Sequence, residues 1–341
     1  MPAPEKPFRP YLERFRDTQG PGDQRPTAAE VVRDQHGEGK LHGKVILITG
    51  GTGGLGLESA KALQLTGAKI FVTARSEEKG KAAVEALSQN ETAVAPEFIV
   101  MDLASAKSIR SAVAHFSARS PRLDFLITNA GIMATPYGLT EDGHELQLGS
   151  NHFGHFLLFR LLEPVLAASG TATTPSRVIA LSSAGHRFGQ FRFDDMNFEK
   201  GPYDPLAAYA QSKLANIWMA NAIDRHYAPK IRGLSVHPGT ILETGITRHF
   251  EADTLSSAGD LEHFNKTGCN VSQGAATTVW AVFEPRFNEY GGVHLAEVGE
   301  ARPVKDGEPI NVPAYAPYAY DPEGEERLWE LSNRAVGLSA D

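Results

Sequence analysis

"VILITGGTGGLGLESAKALQLTGAKIFVTARS", residues 45–76, is the stretch from which the architecture can be read. Four apolar residues, Val45 to Ile48, run without a polar break into Thr49 and a glycine-rich turn ending at Gly56. A strand apolar at every position is buried on both faces, as in a parallel sheet covered by helices. After the turn, "GLGLESAKALQLTG" reads as a helix ending at Gly67, and "AKIFVTA" as a second strand. Glycine allows the backbone to approach a pyrophosphate without a Cβ clash, and the helix start offers free N–H groups and a positive dipole end. A strand, a glycine-rich turn and a helix in the first βαβ unit is the context that gives the glycines meaning. Gly50, Thr52, Gly54, Leu55 and Gly56 are therefore candidate phosphate-side residues.

The second strand ends in "VTARS". An NAD-type site places an acidic residue about 20 positions past the glycines to meet the ribose 2′-hydroxyl. Here that place holds Arg75, and Val72 to Arg75 contain neither Asp nor Glu. A guanidinium pairs with a 2′-phosphate and stacks on adenine, so NADP(H) is the expected cofactor. Lys79 and Lys81 either strengthen that phosphate field or are solvated helix positions.

Working outward, the alternation continues. "EFIVMDL", "LDFLITNAG", "SRVIALSS" and "IRGLSVHPG" read as apolar strands, with helical segments between them. The expected fold class is α/β: a single doubly wound Rossmann domain, a parallel sheet with helices on both faces. Residues 42–295 form the expected domain. Residues 1–41 are an N-terminal extension, with a helix start at Thr27 and Glu30 three positions on. Residues 296–341 are a tail with a final amphipathic helix packed on the same domain.

Bulk properties narrow the function. The 341 residues carry a net charge of −8, which argues against nucleic-acid and anionic-membrane partners, since both need a cationic face. No apolar run reaches the ~20 residues of a membrane span, and the start lacks a signal-peptide core, so a cytoplasmic protein is expected. The single cysteine, Cys269, permits no disulfide framework and reads as a buried bystander. His152 and His155 lie three apart on a helix but have no acidic third ligand, so no metal is expected.

"YAQSK", Tyr209 to Lys213, puts a tyrosine and a lysine on one helical face, a spacing that decides nothing alone. Its setting does more. Thr49-Gly50-x-x-x-Gly54-x-Gly56, "MDL", "TNAG", "SS" after a strand, Tyr-x-x-x-Lys and "HPG" occur in an order that resembles the short-chain dehydrogenase/reductase family. The phrases "DLASAKSIR", "NHFGHFLL", "YAQSKLAN" and "YAYDPEGEERLWELS" are similar to the branch containing retinol dehydrogenases, WW-domain oxidoreductase and protochlorophyllide reductase. One departure is Thr128-Asn129, where the family more often has two asparagines.

The resemblance implies roles for matching residues. Asn151, Ser183, Tyr209 and Lys213 would be catalytic. Asp102 and Leu103 would meet adenine, and Asn129, Ala130 and Gly131 would line the adenosine. Tyr209, Lys213, Pro238, Gly239 and Thr244 would hold the nicotinamide side, with Thr240 the alternative to Thr244. Lys213 would lower the pKa of Tyr209, the general acid/base, and Ser183 would meet the substrate oxygen.

The expected reaction interconverts a ketone or aldehyde and an alcohol. Alternatives are double-bond reduction, dehydration or epimerisation on the same scaffold, or a non-catalytic NADP(H)-binding regulator. His186, Phe188, Phe191, Ile246 and Phe250 suggest an apolar or aromatic small-molecule substrate, with His186 and His249 as polar contacts. The segment after Gly239 is either a mobile lid or a surface loop, and a monomer or a homodimer is equally compatible.

Overall fold

In the computed structural model, strand β1 (Val45–Ile48) sends its side chains alternately to two apolar layers. Ile46 and Ile48 enter one core and Val45 and Leu47 the other, each almost fully buried. That is the two-sided burial expected of an uninterrupted apolar strand. The structure describes residues 7–89, 94–241, 243–249, 265–310 and 312–339.

The eight-stranded sheet is ordered β3-β2-β1-β4-β5-β6-β7-β8. The other strands are β2 (Lys69–Ala74), β3 (Glu97–Val100), β4 (Phe125–Thr128), β5 (Ser176–Leu181), β6 (Ile231–His237), β7 (Val293–Ala296) and β8 (Gly299–Glu300). β1 to β7 are parallel and β8 turns back antiparallel on β7. β1 pairs with both β2 and β4, so the strand order reverses beside it. A crevice opens at the carboxyl ends of strands at such a point.

Helices α1 (Ala28–Asp34), α2 (Gly54–Gln64) and α3 (Glu77–Leu87) contribute to the first layer. α4 (Ala106–Ser117) packs in the second. A short turn α5 (Leu146–Leu148) leads through the π-helical stretch Gly149–Phe153 into α6 (Gly154–Ser169). Among the described residues, α7 (Pro205–Tyr227), α8 (Val271–Gly274), α9 (Ala276–Phe283) and α10 (Pro322–Ala335) follow, with a two-stranded piece, β9 (Arg302–Pro303) and β10 (Ala314–Tyr315). The capping box expected at Thr27 and Glu30 is formed. Through it the extension docks: Tyr11, Ala28, Val31 and Val32 join the core that contains Ile46.

α7 positions the site, and it is buried at every residue from Ala208 to Asp224. It lies on β6 at very close range because Gly233 has no side chain. A Cβ there would stand 1.9 Å from the Ala220 carbonyl oxygen and 3.1 Å from the Asp224 nitrogen. Gly233→Ala must push α7 off the sheet, and overpacking of this kind costs about 1–3 kcal/mol. The variant is expected to show a lower urea midpoint; an unchanged midpoint would contradict the close packing.

Candidate active site

A cleft of about 540 Å³ opens at the carboxyl ends of β1, β4, β5 and β6. Its floor is the turn after β1. Gly56 is required there, since a Cβ would fall 2.5 Å from both Asn129 Nδ2 and the Gly50 carbonyl oxygen. The N-cap of α2, Gly53, offers no side-chain cap, so the N–H groups of the first turn keep their capacity for an anion. That cradle fits a dinucleotide pyrophosphate. Gly50, Thr52, Gly54, Leu55 and Gly56 all line the cleft.

At one end stand Arg75, Lys79, Asp102 and Leu103. Arg75 is exposed, and among the described residues it has no carboxylate partner. Asp102 Oδ1 accepts from the Ala104 N–H at 2.9 Å, while Ser105 is the cap of α4. Asn129, Ala130 and Gly131 form the middle. Asn129 Nδ2 donates to the Thr49 carbonyl at 2.8 Å, and the Ala130 N–H donates to Thr49 Oγ1 at 3.0 Å.

At the other end Ser183, Tyr209 and Lys213 share the wall with Pro238, Gly239, Thr240 and Thr244. Thr244 closes over the floor, its Cγ2 lying 3.5 Å from where a Cβ on Gly54 would stand. Thr240 is tied by its carbonyl oxygen, which accepts from the Cys269 N–H at 2.9 Å. Cys269 itself is buried, and burial pushes its thiol up to about 11.

Ser182 and Ser183 both face α7 but take different partners. Ser182 Oγ donates to the Lys213 carbonyl at 2.8 Å, whereas the Ser183 hydroxyl accepts from the Gly185 N–H and lies close enough to Tyr209 to favour its phenolate. Lys213 Nζ donates to the Leu181 carbonyl at 3.0 Å and lies 5.6 Å from the Tyr209 ring centroid. Burial dominates both groups. It pushes the Tyr209 phenol up to about 12, with the Ser183 hydrogen bond acting the other way, and brings the Lys213 ammonium down to about 8. The lowering of Tyr209 by Lys213 expected from the sequence does not emerge; burial of this stretch of α7 dominates instead.

Asn151 does not line the cleft. It sits fully buried in the π-helical stretch, where Oδ1 accepts from the Ile132 N–H and Nδ2 donates to the Ile132 carbonyl and to Ser212 Oγ. His155 braces it: one ring nitrogen bonds the Asn151 carbonyl and the other Thr49 Oγ1, each at 2.8 Å. Since the Asn151 carbonyl can only accept, the neutral ring carries its proton on Nδ1 and donates it there, and Nε2 accepts from the Thr49 hydroxyl. His152 bonds Ser332 Oγ on α10.

Two expected pocket residues are elsewhere. His186 is completely buried behind Ser183, with Nδ1 bonded to the Ser183 carbonyl at 2.5 Å and Nε2 accepting from the Ala316 N–H at 3.1 Å. Both ring nitrogens are used, so it is no substrate contact. Phe191 is also withdrawn, packed against Phe193 and near Trp218 in a third apolar cluster. His249 is exposed beside Arg248, and Phe250 lies outside the described residues. Phe188 and Ile246 do line the cleft. Unforeseen neighbours are Leu206, in the first turn of α7, and Met133 and Ile310, which stand in loops with no local signature.

The family model described as short chain dehydrogenase matches residues 44–255. The chain belongs to the short-chain dehydrogenase family. It is an oxidoreductase of that family, which binds a nicotinamide cofactor. It is 42% identical to the short-chain dehydrogenase/reductase prx1 of Penicillium rubens over 96% of this chain and 95% of that one. Retinol dehydrogenase 13 of Homo sapiens is 36% identical, with 88% of this chain and 86% of the relative covered. The WW domain-containing oxidoreductase of Homo sapiens is 31% identical over 91% of this chain and 71% of its own length. Among solved structures, an uncharacterised protein from Mycobacterium paratuberculosis superposes with a TM-score of 0.68 at 28% identity, covering 92% of this chain and 98% of that chain.

Among the described residues, this short-chain dehydrogenase buries five histidines: His152, His155, His186, His237 and His294. Burial brings His152 and His237 down to about 3 and His155 and His186 to about 4, and takes His294 well below the ordinary range. Unfolded, each titrates near 6.5. Above that value both states are neutral and the stability is intact. As pH falls below it the unfolded chain takes up protons that the folded chain refuses, at up to ~1.4 kcal/mol per pH unit for each histidine. The thermal midpoint is expected to fall steeply from pH 6.5 to 5; a flat profile there would refute the neutral assignment.

Proposed function

We propose that the protein is an NADP(H)-dependent oxidoreductase interconverting a ketone or aldehyde and an alcohol on an apolar or aromatic small molecule, with Tyr209 as general acid/base. The observation that carries this reading is the grouping of Ser183, Tyr209 and Lys213 at one end of a cleft whose other end bears Arg75. The cradle of α2 and the residues Asn129 to Gly131 would hold the dinucleotide, with Arg75 and Lys79 at the 2′-phosphate. When bound, NADPH supplies the hydride.

The chain's own residues manage the proton. With its pKa near 12, Tyr209 keeps its proton at neutral pH and is a phenolic acid in the reductive direction. It gives that proton to the carbonyl oxygen as the C–O bond becomes single, and solvent restores it. The Ser183 hydroxyl is oriented by its contact with Gly185 and hydrogen-bonds the same oxygen. Lys213, charged below about pH 8, favours the phenolate that remains. The retinol dehydrogenase relative, whose name records an apolar alcohol, supports the assignment of an apolar substrate. Phe188, Ile246, Met133 and Leu206 on the wall support it from this chain.

Two experiments test the proposal. Tyr209→Phe is expected to lower kcat for carbonyl reduction by at least ~10²-fold while NADPH still binds, as measured by fluorescence titration. Undiminished turnover would remove Tyr209 from the mechanism. Arg75→Asp is expected to weaken NADPH by about 10- to 100-fold, the equivalent of a hydrogen bond to a charged group, and to leave NADH binding intact. Equal losses for both cofactors would exclude Arg75 as the reader of the 2′-phosphate.

A further inference from the structure

The family match ends at residue 255, yet the cleft wall includes Ile310 from the C-terminal tail. What brings it there is Arg187, two residues beyond Gly185 in the turn that begins at Ser183. Its guanidinium donates to three consecutive carbonyls: Glu308 at 3.1 Å, Pro309 at 2.9 Å and Ile310 at 2.9 Å. The tail turn is braced from its own side, where the Glu308 carboxylate takes Arg302 through both oxygens and the Lys305 N–H at 2.8 Å. Further along, Ala316 N–H donates to His186 Nε2 and Tyr318 O–H to the His186 carbonyl. The turn after Ser183 and the tail are therefore joined at several points.

Ile310 arrives half-buried on the wall, in a cleft that also presents Phe188, Leu206 and Met133. Phe188 is 44% exposed, so apolar surface is left open to the cleft. Covering such surface favours an apolar ligand roughly in proportion to the area removed from water. We propose that Ile310, set in place by Arg187, is a specificity-determining wall of the substrate side that selects carbonyl compounds with an extended apolar portion. The substrate chemistry rests on the proposed function; the selection itself is a statement about binding. Arg187 acts as a positioning residue, and its planar fork, directed at three carbonyls, is not reproduced by lysine.

The test compares biphenyl-4-carbaldehyde with propanal on the full-length chain. Affinity is measured by calorimetry with NADP⁺ saturating, and kcat/KM by NADPH absorbance. The wild-type protein is expected to favour the biphenyl compound in affinity. Ile310→Asp should weaken it at least ~10-fold, the scale of discrimination available to an apolar pocket contact, while propanal and NADP⁺ binding hold. Arg187→Ala should act in the same direction, and Ile310→Leu should restore the wild-type preference. If Ile310→Asp leaves the preference unchanged or weakens both aldehydes equally, the wall is not selective. A wild-type protein that binds both aldehydes alike also overturns it. A protein that binds with the expected preference but reduces neither aldehyde would refute the proposed function and leave this inference standing.

Discussion

The site depends on a reciprocal clamp between the end of β5 and one turn of α7. The Leu181 carbonyl accepts from both Lys213 Nζ and Asn216 Nδ2, and the next residue, Ser182, donates its hydroxyl back to the Lys213 carbonyl. Strand and helix are thereby locked in register at the point where Ser183 leaves the sheet. A buried ammonium is costly unless it is hydrogen-bonded, and this clamp supplies a partner for the charge while fixing its direction. Gly233 completes the arrangement from below by letting α7 lie directly on β6. Without that close approach the Ser183–Tyr209 pairing has no fixed geometry.

Segments outside the family core are tied to the same cleft. In the N-terminal extension, buried Arg25 pairs with Asp23 and donates to the carbonyls of Thr267 and Gly268. Those residues lead into Cys269, whose N–H holds Thr240 on the cleft wall. Gln273 adds contacts to Gly22, Asp23 and Arg25. The extension thus braces the far side of the Pro238 to Thr240 turn, as the tail braces the turn after Ser183. Backbone carbonyls in loops need donors, and here arginines from distant segments provide them.

What was legible in the sequence follows from how local each signal is. The glycine turn, the apolar strands and the Tyr209–Lys213 pair depend on neighbours within a few residues, and the sheet and cleft are built from them. His186 and Phe191 stand away from the expected substrate side because their surroundings are remote in sequence. His186 is occupied by Ala316, 130 positions away, and Phe191 lies against Trp218 on α7. Ile310 carried no signature of its own, since contacts from residues remote in sequence, Arg187 foremost, bring it to the wall. The effect of burial on Tyr209 was equally hidden. Helical spacing gives a lysine on the right face but not the enclosure of α7 from Ala208 to Asp224.

That enclosure acts on both groups in opposite senses. Desolvation penalises the charged form of each, so it raises an acid that ionises to an anion and lowers one that ionises from a cation. Tyr209 moves up to about 12 and Lys213 down to about 8, which leaves a protonated phenol beside an ammonium at neutral pH. The histidines nearby are kept neutral by the same burial, so they do not compete as cations with Lys213. A site prepared in this way holds its proton before the carbonyl arrives. In the proposed reaction that state is the reductive one, and oxidation of an alcohol would require removing the proton from Tyr209 against the desolvation that retains it.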